Sequence, residues 1–303
     1  MEAGTGRHPA AAAGGLRSLA ADYFEMTKPK VQSLLLFTTV ATMYIAGDPS
    51  LGLVALTCLG GALSAGGAGA INHALDRDID VLMKRTARRP VASGRVSPRA
   101  AIVYGVLLGC ASFALLALTV DPLAAVLAMS GLLWYVLVYT LWLKRSTPQN
   151  IVIGGAAGAV PPLVAWAATT GGLDGSALYL FAIVFYWTPP HFWALSLLMR
   201  DDYAKAGIPM LPVVRGEAET RRQILLYTIL LLAVSLLPFA GRLFDWLYLA
   251  AALLLGGAFV GMALILHRRG DRPGGRRIAL RVYLFSLAYL ALLFGAMVLD
   301  VRL

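Results

Sequence analysis

Apolar runs long enough to cross a lipid bilayer recur along this sequence, and they restrict the folds open to it. A helix needs about 17 to 25 apolar residues to span the hydrocarbon core. Nine runs meet this length, at 31–47, 51–71, 100–119, 122–142, 149–169, 177–199, 223–241, 245–266 and 279–299. With 59% hydrophobic and 14% charged residues, the composition is that of a membrane protein. The pattern predicts an all-α integral membrane protein with nine transmembrane helices.

Basic residues predict how these helices are oriented. Lys and Arg accumulate in the cytoplasmic loops of membrane proteins. With the N-terminus in the cytoplasm, all of the 26 Lys and Arg residues except Arg242 and Arg302 fall on the cytoplasmic side. The sequence therefore predicts a cytoplasmic N-terminus and a C-terminus outside. This orientation explains the net charge of +10, so no nucleic-acid partner is expected.

The N-terminal residues differ in composition from the rest of the chain. Residues 1–22 are rich in Ala and Gly and lack the apolar core of a signal peptide, so they are predicted to form a flexible cytoplasmic tail. Residues 23–303 are predicted to form one nine-helix domain. The first residues also lack an acid-poor, Arg- and Ser-rich amphipathic presequence, which favours the plasma membrane of a prokaryote. Cys58 and Cys110 lie in apolar runs, and their spacing indicates no disulfide or thiolate metal site.

Two long cytoplasmic loops, residues 72–99 and 200–222, carry acidic and basic side chains together. In the first loop, Asn72, Asp76 and Asp80 are four residues apart, so on a helix they lie on one face. Mg²⁺ prefers such oxygen ligands and is commonly bound by one or two carboxylates plus substrate phosphates. Asp78 is out of step and should point away from that face. The spacing predicts a metal site that holds a phosphorylated substrate.

Basic residues follow the acidic motif closely. Arginine binds phosphate oxygens in a bidentate manner, and lysine binds them as a point charge. The predicted ligands of a diphosphate are Lys84, Arg85, Arg88 and Arg89. Alternatively, the aspartates only end a helix and pair with these basic residues. Asn72, in register with the aspartates, favours the metal site.

The second loop contains a smaller acidic cluster. Asp201 and Asp202 are adjacent, so on a helix they diverge and only one faces a shared site. Asp202, with Tyr203 and Lys205, could hold a second metal ion or a phosphate oxygen. An ordinary solvated loop is an equally good interpretation of this segment alone.

These motifs together resemble the UbiA superfamily of intramembrane prenyltransferases. The resemblance runs from about residue 22 to residue 299. The strings that carry it are TKPKV at 27–31, NHALDRDIDVLMKRTARRPVASGRVSP at 72–98, GAAGAVPPLVAW at 155–166 and TPPHFWALSLLMRDDYAKAGIPMLPVV at 188–214. Within the superfamily, PPHFWAL and DYAKAGIPMLPV are similar to the members that act on haem.

The resemblance implies a UbiA-type helical bundle with a cytoplasm-facing active-site cavity. It implies transfer of a farnesyl group from farnesyl diphosphate to a vinyl group of haem b, with addition of water, to give haem O and diphosphate. Mg²⁺ is the implied cofactor, membrane lipid surrounds the protein, and a haem A synthase is a candidate partner. The implied metal-binding and catalytic residues are Asn72, Asp76, Asp80 and Asp202. Lys205 or Ala206 stands where other members carry a later carboxylate, so Lys205 is expected to neutralise the diphosphate.

A dry cavity for the reacting groups is a further implication. The residues expected to line it or to contact haem are Tyr139, Trp166, Tyr186, Trp187 and His191. Aromatic faces stabilise a cation, although each of these aromatics could equally be a packing residue or belong to an interfacial belt. His191 follows Pro189 and Pro190 inside an apolar run, where an ionisable group is often functional. It could also simply hydrogen-bond a helix made irregular by proline.

Three other functions are compatible with parts of the sequence. A prenyltransferase acting on an aromatic quinone precursor would keep the first motif and differ in its acceptor pocket. An ion-coupled transporter would place its acidic residues near the bilayer midplane, whereas here they cluster on one side beside arginines. A non-catalytic protein that handles haem would not need Asn72, Asp76 and Asp80 in register.

Overall fold

The computed structural model describes residues 15–303, which form helices joined by turns and short loops. The helices are α1 (Leu16–Met26), α2 (Pro29–Ala46), α3 (Leu51–Leu75), α4 (Arg77–Asp80), α5 (Pro98–Thr119), α6 (Pro122–Leu133), α7 (Lys144–Ser146), α8 (Asn150–Gly154), α9 (Ala156–Thr170), α10 (Gly175–Leu198), α11 (Arg200–Lys205), α12 (Leu211–Val214), α13 (Gly216–Ala240), α14 (Trp246–Arg269) and α15 (Gly275–Asp300). A π-helical segment, Trp134–Leu143, joins α6 to α7. No β-strand occurs within residues 15–303, so the all-α prediction is confirmed.

Local sequence signals explain where several of the long helices begin. Ser50, Ser97 and Asp121 each precede a helix and accept a hydrogen bond from a backbone N–H of its first turn. Such caps satisfy N–H groups that have no partner inside the helix. Pro98 and Pro122 then occupy the first helical position, where a missing N–H costs nothing.

Seven helical segments of the described chain are long and apolar enough to cross a membrane. They are Leu51–Leu75, Pro98–Thr119, Pro122–Ser146, Asn150–Thr170, Gly216–Ala240, Trp246–Arg269 and Gly275–Asp300. The protein is therefore a multi-pass membrane protein. Two more of the predicted spans form the helices α2 and α10, which are less apolar because α2 begins PKVQS and α10 contains Pro189, Pro190 and His191. The predicted count of nine is thus not confirmed by length and composition alone.

The N-terminal end of the described chain differs from the predicted tail. Residues 1–14 of that tail lie outside the described residues, but residues 16–22 belong to α1 and are helical. This helix is held to the loop after α4, since Asp22 and Glu25 both form salt bridges with Arg95. Tyr23 packs edge-on against Tyr104 with ring centroids 4.9 Å apart. The predicted boundary at residue 22 therefore falls inside a packed helix.

The long helices contact one another in a closed cycle. Following the chain, α3 packs on α5, α5 on α6, α6 on α9, α9 on α10 and α10 on α13. The cycle continues through α14 and α15 and returns to α3 through α2. The α3–α5 contact is especially close, because a Cβ on Gly105 would lie 2.7 Å from the Gly67 carbonyl oxygen and 2.6 Å from the Ile71 side chain. Small residues at such positions let membrane helices approach closely.

Both long loops are folded against the helix bundle. Ile79 and Met83 from the first loop share one buried apolar cluster with Tyr203, Ile208 and Met210 from the second. Arg85 and Arg89 of the first loop also lie close enough to Tyr203 of the second for their charges to act on it. The two loops therefore lie at the same end of the bundle, where α3 and α10 terminate, and we call this end the loop end. The acidic and basic side chains of both motifs lie at this end.

Candidate active site

Asn72, Asp76 and Asp80 are buried in a row at the loop end, with 2%, 0% and 2% of their surfaces exposed. The Asn72 Nδ2 group donates a hydrogen bond to Asp76 Oδ2 at 2.7 Å. Helix α3 ends at Leu75, but the Asp76 N–H still bonds the Asn72 carbonyl and the Asp80 N–H bonds the Asp76 carbonyl. These i→i−4 bonds preserve the helical spacing across the break.

Asp78 lies outside this row, as its spacing predicts. Its side chain is exposed and forms a salt bridge with Arg145 at 2.7 Å. The hydrogen bonds that Arg145 donates lower the pKa of Asp78 to about 2. Asp78 is therefore a charged surface residue, distinct from its two buried neighbours.

Each member of the buried row is held by a different basic side chain. The Lys28 Nζ group donates to Asn72 Oδ1 at 2.6 Å. Lys144 forms a salt bridge with Asp76 Oδ2. Arg89 Nη1 donates to both oxygens of Asp80, at 2.9 and 2.8 Å. Because buried carboxylates are costly without partners, Lys144 and Arg89 stabilise the two aspartates within the protein. Burial and the neighbouring charges of Arg89 and Lys144 lower the pKa of Lys28 to about 7.

Lys28 reaches Asn72 from an unusual backbone conformation. It precedes α2 with φ 56°, in the left-handed region that non-glycine residues rarely adopt. The chain passes closely here, since a Cβ on Gly69 would lie 2.8 Å from the Met26 carbonyl oxygen. Strained residues of this kind cluster at functional sites.

The π-helical segment supplies side chains that sequence reasoning missed. Its i→i+5 winding brings Tyr135 and Thr140 towards α3, where Thr140 Oγ1 accepts from Asn72 Nδ2 at 3.2 Å and Tyr135 contacts Lys28. Lys144, which follows this segment directly, reaches Asp76. In the sequence, the only signals were the TKPKV string for Lys28 and the basic pair that closes an apolar run for Lys144.

The donor set at the row fits a divalent cation that prefers oxygen. Asp76 Oδ1 is buried and has no hydrogen-bond partner among the described residues, although Arg145 Nη2 lies 3.8 Å from it. Buried polar atoms are nearly always paired, so an unsatisfied carboxylate oxygen is an available ligand position. Residues 15–303 contain no group of three His, Cys, Asp or Glu side chains arranged for a metal. The oxygens of the row that could hold a metal are those of Asn72, Asp76 and Asp80, and each would have to give up its contact with a basic side chain.

The second loop meets the first through α11. Tyr203 is buried, and burial raises its pKa while the charges of Arg85 and Arg89 oppose the shift. Asp201 is exposed and Asp202 half-buried, so the two diverge as expected. Lys205 is exposed. Tyr203, rather than Asp202, therefore provides the observed link between the two loops.

The basic residues predicted to bind a diphosphate differ in their surroundings. Lys84, Arg85 and Arg88 are exposed at the loop end. Arg89 is half-buried and already paired with Asp80. The loop end thus presents three exposed cations, Lys84, Arg85 and Arg88, beside the half-buried Lys28, Arg89 and Lys144.

The four predicted aromatics lie in one apolar cluster but in separate packing groups. The ring of Tyr139 packs at a tilt of 36° against that of Tyr135, with ring centroids 5.4 Å apart, and so lies close to the row. Tyr186 packs against Tyr227 and Trp166 is buried in the bundle. Trp187 is buried beside His191.

His191 is held in a defined orientation on α10. Its ring stacks on Trp187 with centroids 4.4 Å apart and lies 4.9 Å from the ring of Tyr283. Its Nδ1 atom shares a hydrogen bond of 2.7 Å with Ser286 Oγ. Because this bond occupies Nδ1, Nε2 is the ring nitrogen that remains for another partner.

A sequence model described as the UbiA prenyltransferase family matches residues 34–298. The chain belongs to the UbiA prenyltransferase family. Solved structures of UbiA-type proteins share its fold. A structure titled for digeranylgeranylglyceryl phosphate synthase aligns with a TM-score of 0.76 over 94% of this chain and 100% of that one, at 17% identity. A UbiA homologue from Archaeoglobus fulgidus bound to GPP and Mg²⁺ aligns with a TM-score of 0.66 over 91% and 99%, at 17% identity.

Curated UbiA relatives are far more similar in sequence. A protein of Chloroflexus aurantiacus named protoheme IX farnesyltransferase is 56% identical over 94% of this chain and 48% of its own length. A Roseiflexus protein with the same name is 54% identical over 94% and 53%. The chain thus spans about half the length of these two relatives. The Alkalilimnicola ehrlichii protein of this name is 52% identical over 95% of both chains.

Proposed function

We propose that this UbiA-family protein is a Mg²⁺-dependent prenyltransferase. It transfers the farnesyl group of farnesyl diphosphate to a vinyl group of haem b, with addition of water, and yields haem O and diphosphate. The observation that carries the proposal is the buried row of Asn72, Asp76 and Asp80, with its unsatisfied carboxylate oxygen and its ring of cations. The name shared by relatives more than half identical to this chain supports haem as the acceptor.

The row and its basic partners have different roles in the ionisation of farnesyl diphosphate. When bound, Mg²⁺ supplies positive charge that stabilises a departing diphosphate. Asn72, Asp76 and Asp80 would hold it through their oxygens. Lys144 and Arg89 would then leave these oxygens free and turn their charge towards the diphosphate, and Lys28 would donate hydrogen bonds to it. Preorganised cations aimed at the charge that develops as the carbon–oxygen bond breaks lower the barrier most effectively.

The allylic group released from diphosphate must be kept from water until the vinyl carbon attacks it. Tyr135 and Tyr139 lie on the π-helical segment directly beside the row. Their ring faces can stabilise the positive charge of this group. His191 and Trp187 hold the acceptor deeper along α10. Lys205 binds the outer part of the diphosphate, and Asp202 would contribute a carboxylate oxygen to the metal.

The proposal includes nine transmembrane helices, with the loop end and the N-terminus in the cytoplasm and the C-terminus outside. The burial of the polar residues of α2 supports its membrane-spanning role, since Gln32, Thr38 and Thr42 face the bundle. His191 of α10 is buried in the same way. Polar groups inside a membrane face the protein interior. Residues 16–303, from the start of α1, form the prenyltransferase domain. It lies in a prokaryotic plasma membrane, where lipid surrounds it and a haem A synthase takes its product.

The decisive experiment is to incubate the purified protein with haem b, farnesyl diphosphate and Mg²⁺ and to analyse the extracted haem by mass spectrometry. The expected product is heavier than haem b by one farnesyl group and one hydroxyl group, because the other hydrogen of the added water leaves with the diphosphate, and it is absent after EDTA treatment. A parallel reaction with a hydroxybenzoate tests the quinone-precursor acceptor. A prenylated hydroxybenzoate without any haem product would overturn the choice of haem.

Replacement of Arg89 tests the diphosphate site. Arg89→Ala removes a bidentate donor, and charge-assisted hydrogen bonds contribute about 1.5 to 3 kcal/mol, so KM for farnesyl diphosphate should rise about tenfold or more. The affinity for haem b should change much less. Steady-state kinetics measure both constants, with Arg99→Ala, an exposed arginine of the same loop, as the control. An unchanged KM for the donor contradicts the role of Arg89.

Replacement of His191 tests the contact with haem. His191→Ala should change the absorption spectrum of bound haem b, because the ring nitrogen nearest the acceptor is lost. His267→Ala, at the exposed end of α14, should leave the spectrum unchanged. Identical spectra for His191→Ala and the unmodified protein would remove His191 as an iron ligand.

A further inference from the structure

A cleft opens between α10 and α15 at the loop end, and none of the residues of the aspartate row lines it. It has a volume of about 470 Å³ and is lined by Leu198, Gly274, Arg276, Arg277 and Leu280. Both arginines are exposed and belong to the first turn of α15. The cleft therefore combines two cations with two apolar side chains, which suits a ligand with an anionic edge and an apolar body.

The helical register connects this cleft to His191. On α10, Leu198 follows His191 by seven residues, and on α15, Tyr283 follows Arg276 by seven. Seven residues complete nearly two helical turns, so each pair lies on one face of its helix. His191 contacts Tyr283 and hydrogen-bonds Ser286, while Leu198 lines the cleft with Arg276. The two helices thus run antiparallel and present one continuous pair of faces.

The separation along these faces matches one particular ligand. At about 1.5 Å per residue, seven residues place the cleft roughly 10 Å from His191 along the helix axes. This is close to the distance between the iron of haem and its propionate carboxylates. Phe192, which packs edge-on against His191, is exposed on the bundle surface, so this side of the histidine is near the lipid through which an amphiphile can arrive.

We infer that Arg276 and Arg277 bind the two propionate carboxylates of the acceptor haem, with the macrocycle extending along the α10–α15 faces to His191. The inference rests on the proposed function, which supplies haem as the acceptor. Arginine suits this role because its planar guanidinium binds a carboxylate through two parallel hydrogen bonds. Leu198 and Leu280 contact the apolar edge of the ring between its two carboxylates. The arginines fix the orientation of haem, and hence which vinyl group is offered to the prenyl donor.

Haem binding without any prenyl donor tests this site directly. The purified protein, in nanodiscs of phosphatidylcholine, is titrated with haem b and with its propionate dimethyl ester, and binding is followed by absorption. The unmodified protein should bind haem b about tenfold or more tightly than the ester, because the ester cannot form charge-assisted hydrogen bonds. The double variant R276Q/R277Q should bind both haems with the same weak affinity. The matched control R268Q/R269Q, which alters two exposed arginines at the end of α14, should keep the preference.

The outcomes separate this inference from the proposed function. Equal binding of haem b and its ester by the unmodified protein overturns the inference, as does a preference that survives in R276Q/R277Q. Failure of the unmodified protein to bind haem b at all overturns the proposed acceptor itself. Phosphatidylglycerol added to the nanodiscs tests for an anionic-lipid site. If R276Q/R277Q binds haem b normally, and phosphatidylglycerol changes the haem affinity of the unmodified protein but not that of the variant, the cleft is an anionic-lipid site instead. Unchanged thermal unfolding of R276Q/R277Q shows that any lost preference is local.

Discussion

Asp76→Asn should reduce prenyl transfer by about a hundred- to a thousandfold, the range seen when one electrostatic contact to a transition state is removed. The substitution keeps the shape of the side chain but removes the charge next to the unsatisfied oxygen. It should also weaken Mg²⁺ binding, which titration with Mn²⁺ followed by electron paramagnetic resonance measures separately from turnover. The protein should still be folded in the membrane, because the amide can accept the hydrogen bond of Lys144.

Asp78→Asn is the matched control for this variant. Asp78 is two residues away, is exposed and pairs with Arg145 outside the buried row. Its loss should leave turnover within about twofold of normal, since exposed ion pairs contribute only about 0 to 1 kcal/mol. Normal turnover in Asp76→Asn would exclude the row as the metal and diphosphate site. Equal losses in both variants would point to a general effect of charge at the loop end.

Gly105→Leu should destabilise the fold strongly. A Cβ at this position meets the Gly67 carbonyl oxygen of α3 at 2.7 Å, and a backbone atom cannot move aside as a flexible side chain can. Overpacking costs about 1 to 3 kcal/mol, and this contact should reach the upper end of that range. The midpoint of thermal unfolding in detergent and the yield of membrane-inserted protein measure the effect.

The same substitution at an open glycine provides the control. Gly257 on α14 has no neighbouring atom within 4 Å of an added Cβ and is exposed on the bundle surface. Gly257→Leu should therefore leave the unfolding midpoint nearly unchanged. Gly105→Leu should also impair the site, since Gly105 packs against Ile71, the residue before Asn72. A Gly105→Leu protein as stable as Gly257→Leu would show that the α3–α5 contact is looser than described.

The sequence predicted those features that depend on local spacing. Asn72, Asp76 and Asp80 are buried in a row because hydrogen bonds between residues four apart continue through the end of α3, and this periodicity is readable from the chain alone. The outward position of Asp78 follows from the same periodicity. The UbiA family was also predicted from the sequence motifs, and the match of the family model confirms it.

The partners of the row could not be predicted in this way. Lys28 and Lys144 are 44 and 68 residues from the side chains they contact, so no local pattern links them. The run 122–142 reads as an ordinary α-helix, and only the fold shows that its second half is wound as a π-helix that turns Thr140 towards Asn72. Helix α1 was missed because its polar residues are stabilised by Arg95 of a distant loop rather than by a local apolar pattern.

The basic side chains that hold the buried row have a consequence for how the protein is made. Many metal sites assemble only when the ion arrives, because unneutralised ligands repel one another and the apo chain stays unfolded. Here Lys28, Lys144 and Arg89 already balance the oxygens of Asn72, Asp76 and Asp80. The helices can thus insert and fold before any ion is present, and chelation should switch the enzyme off reversibly without unfolding it.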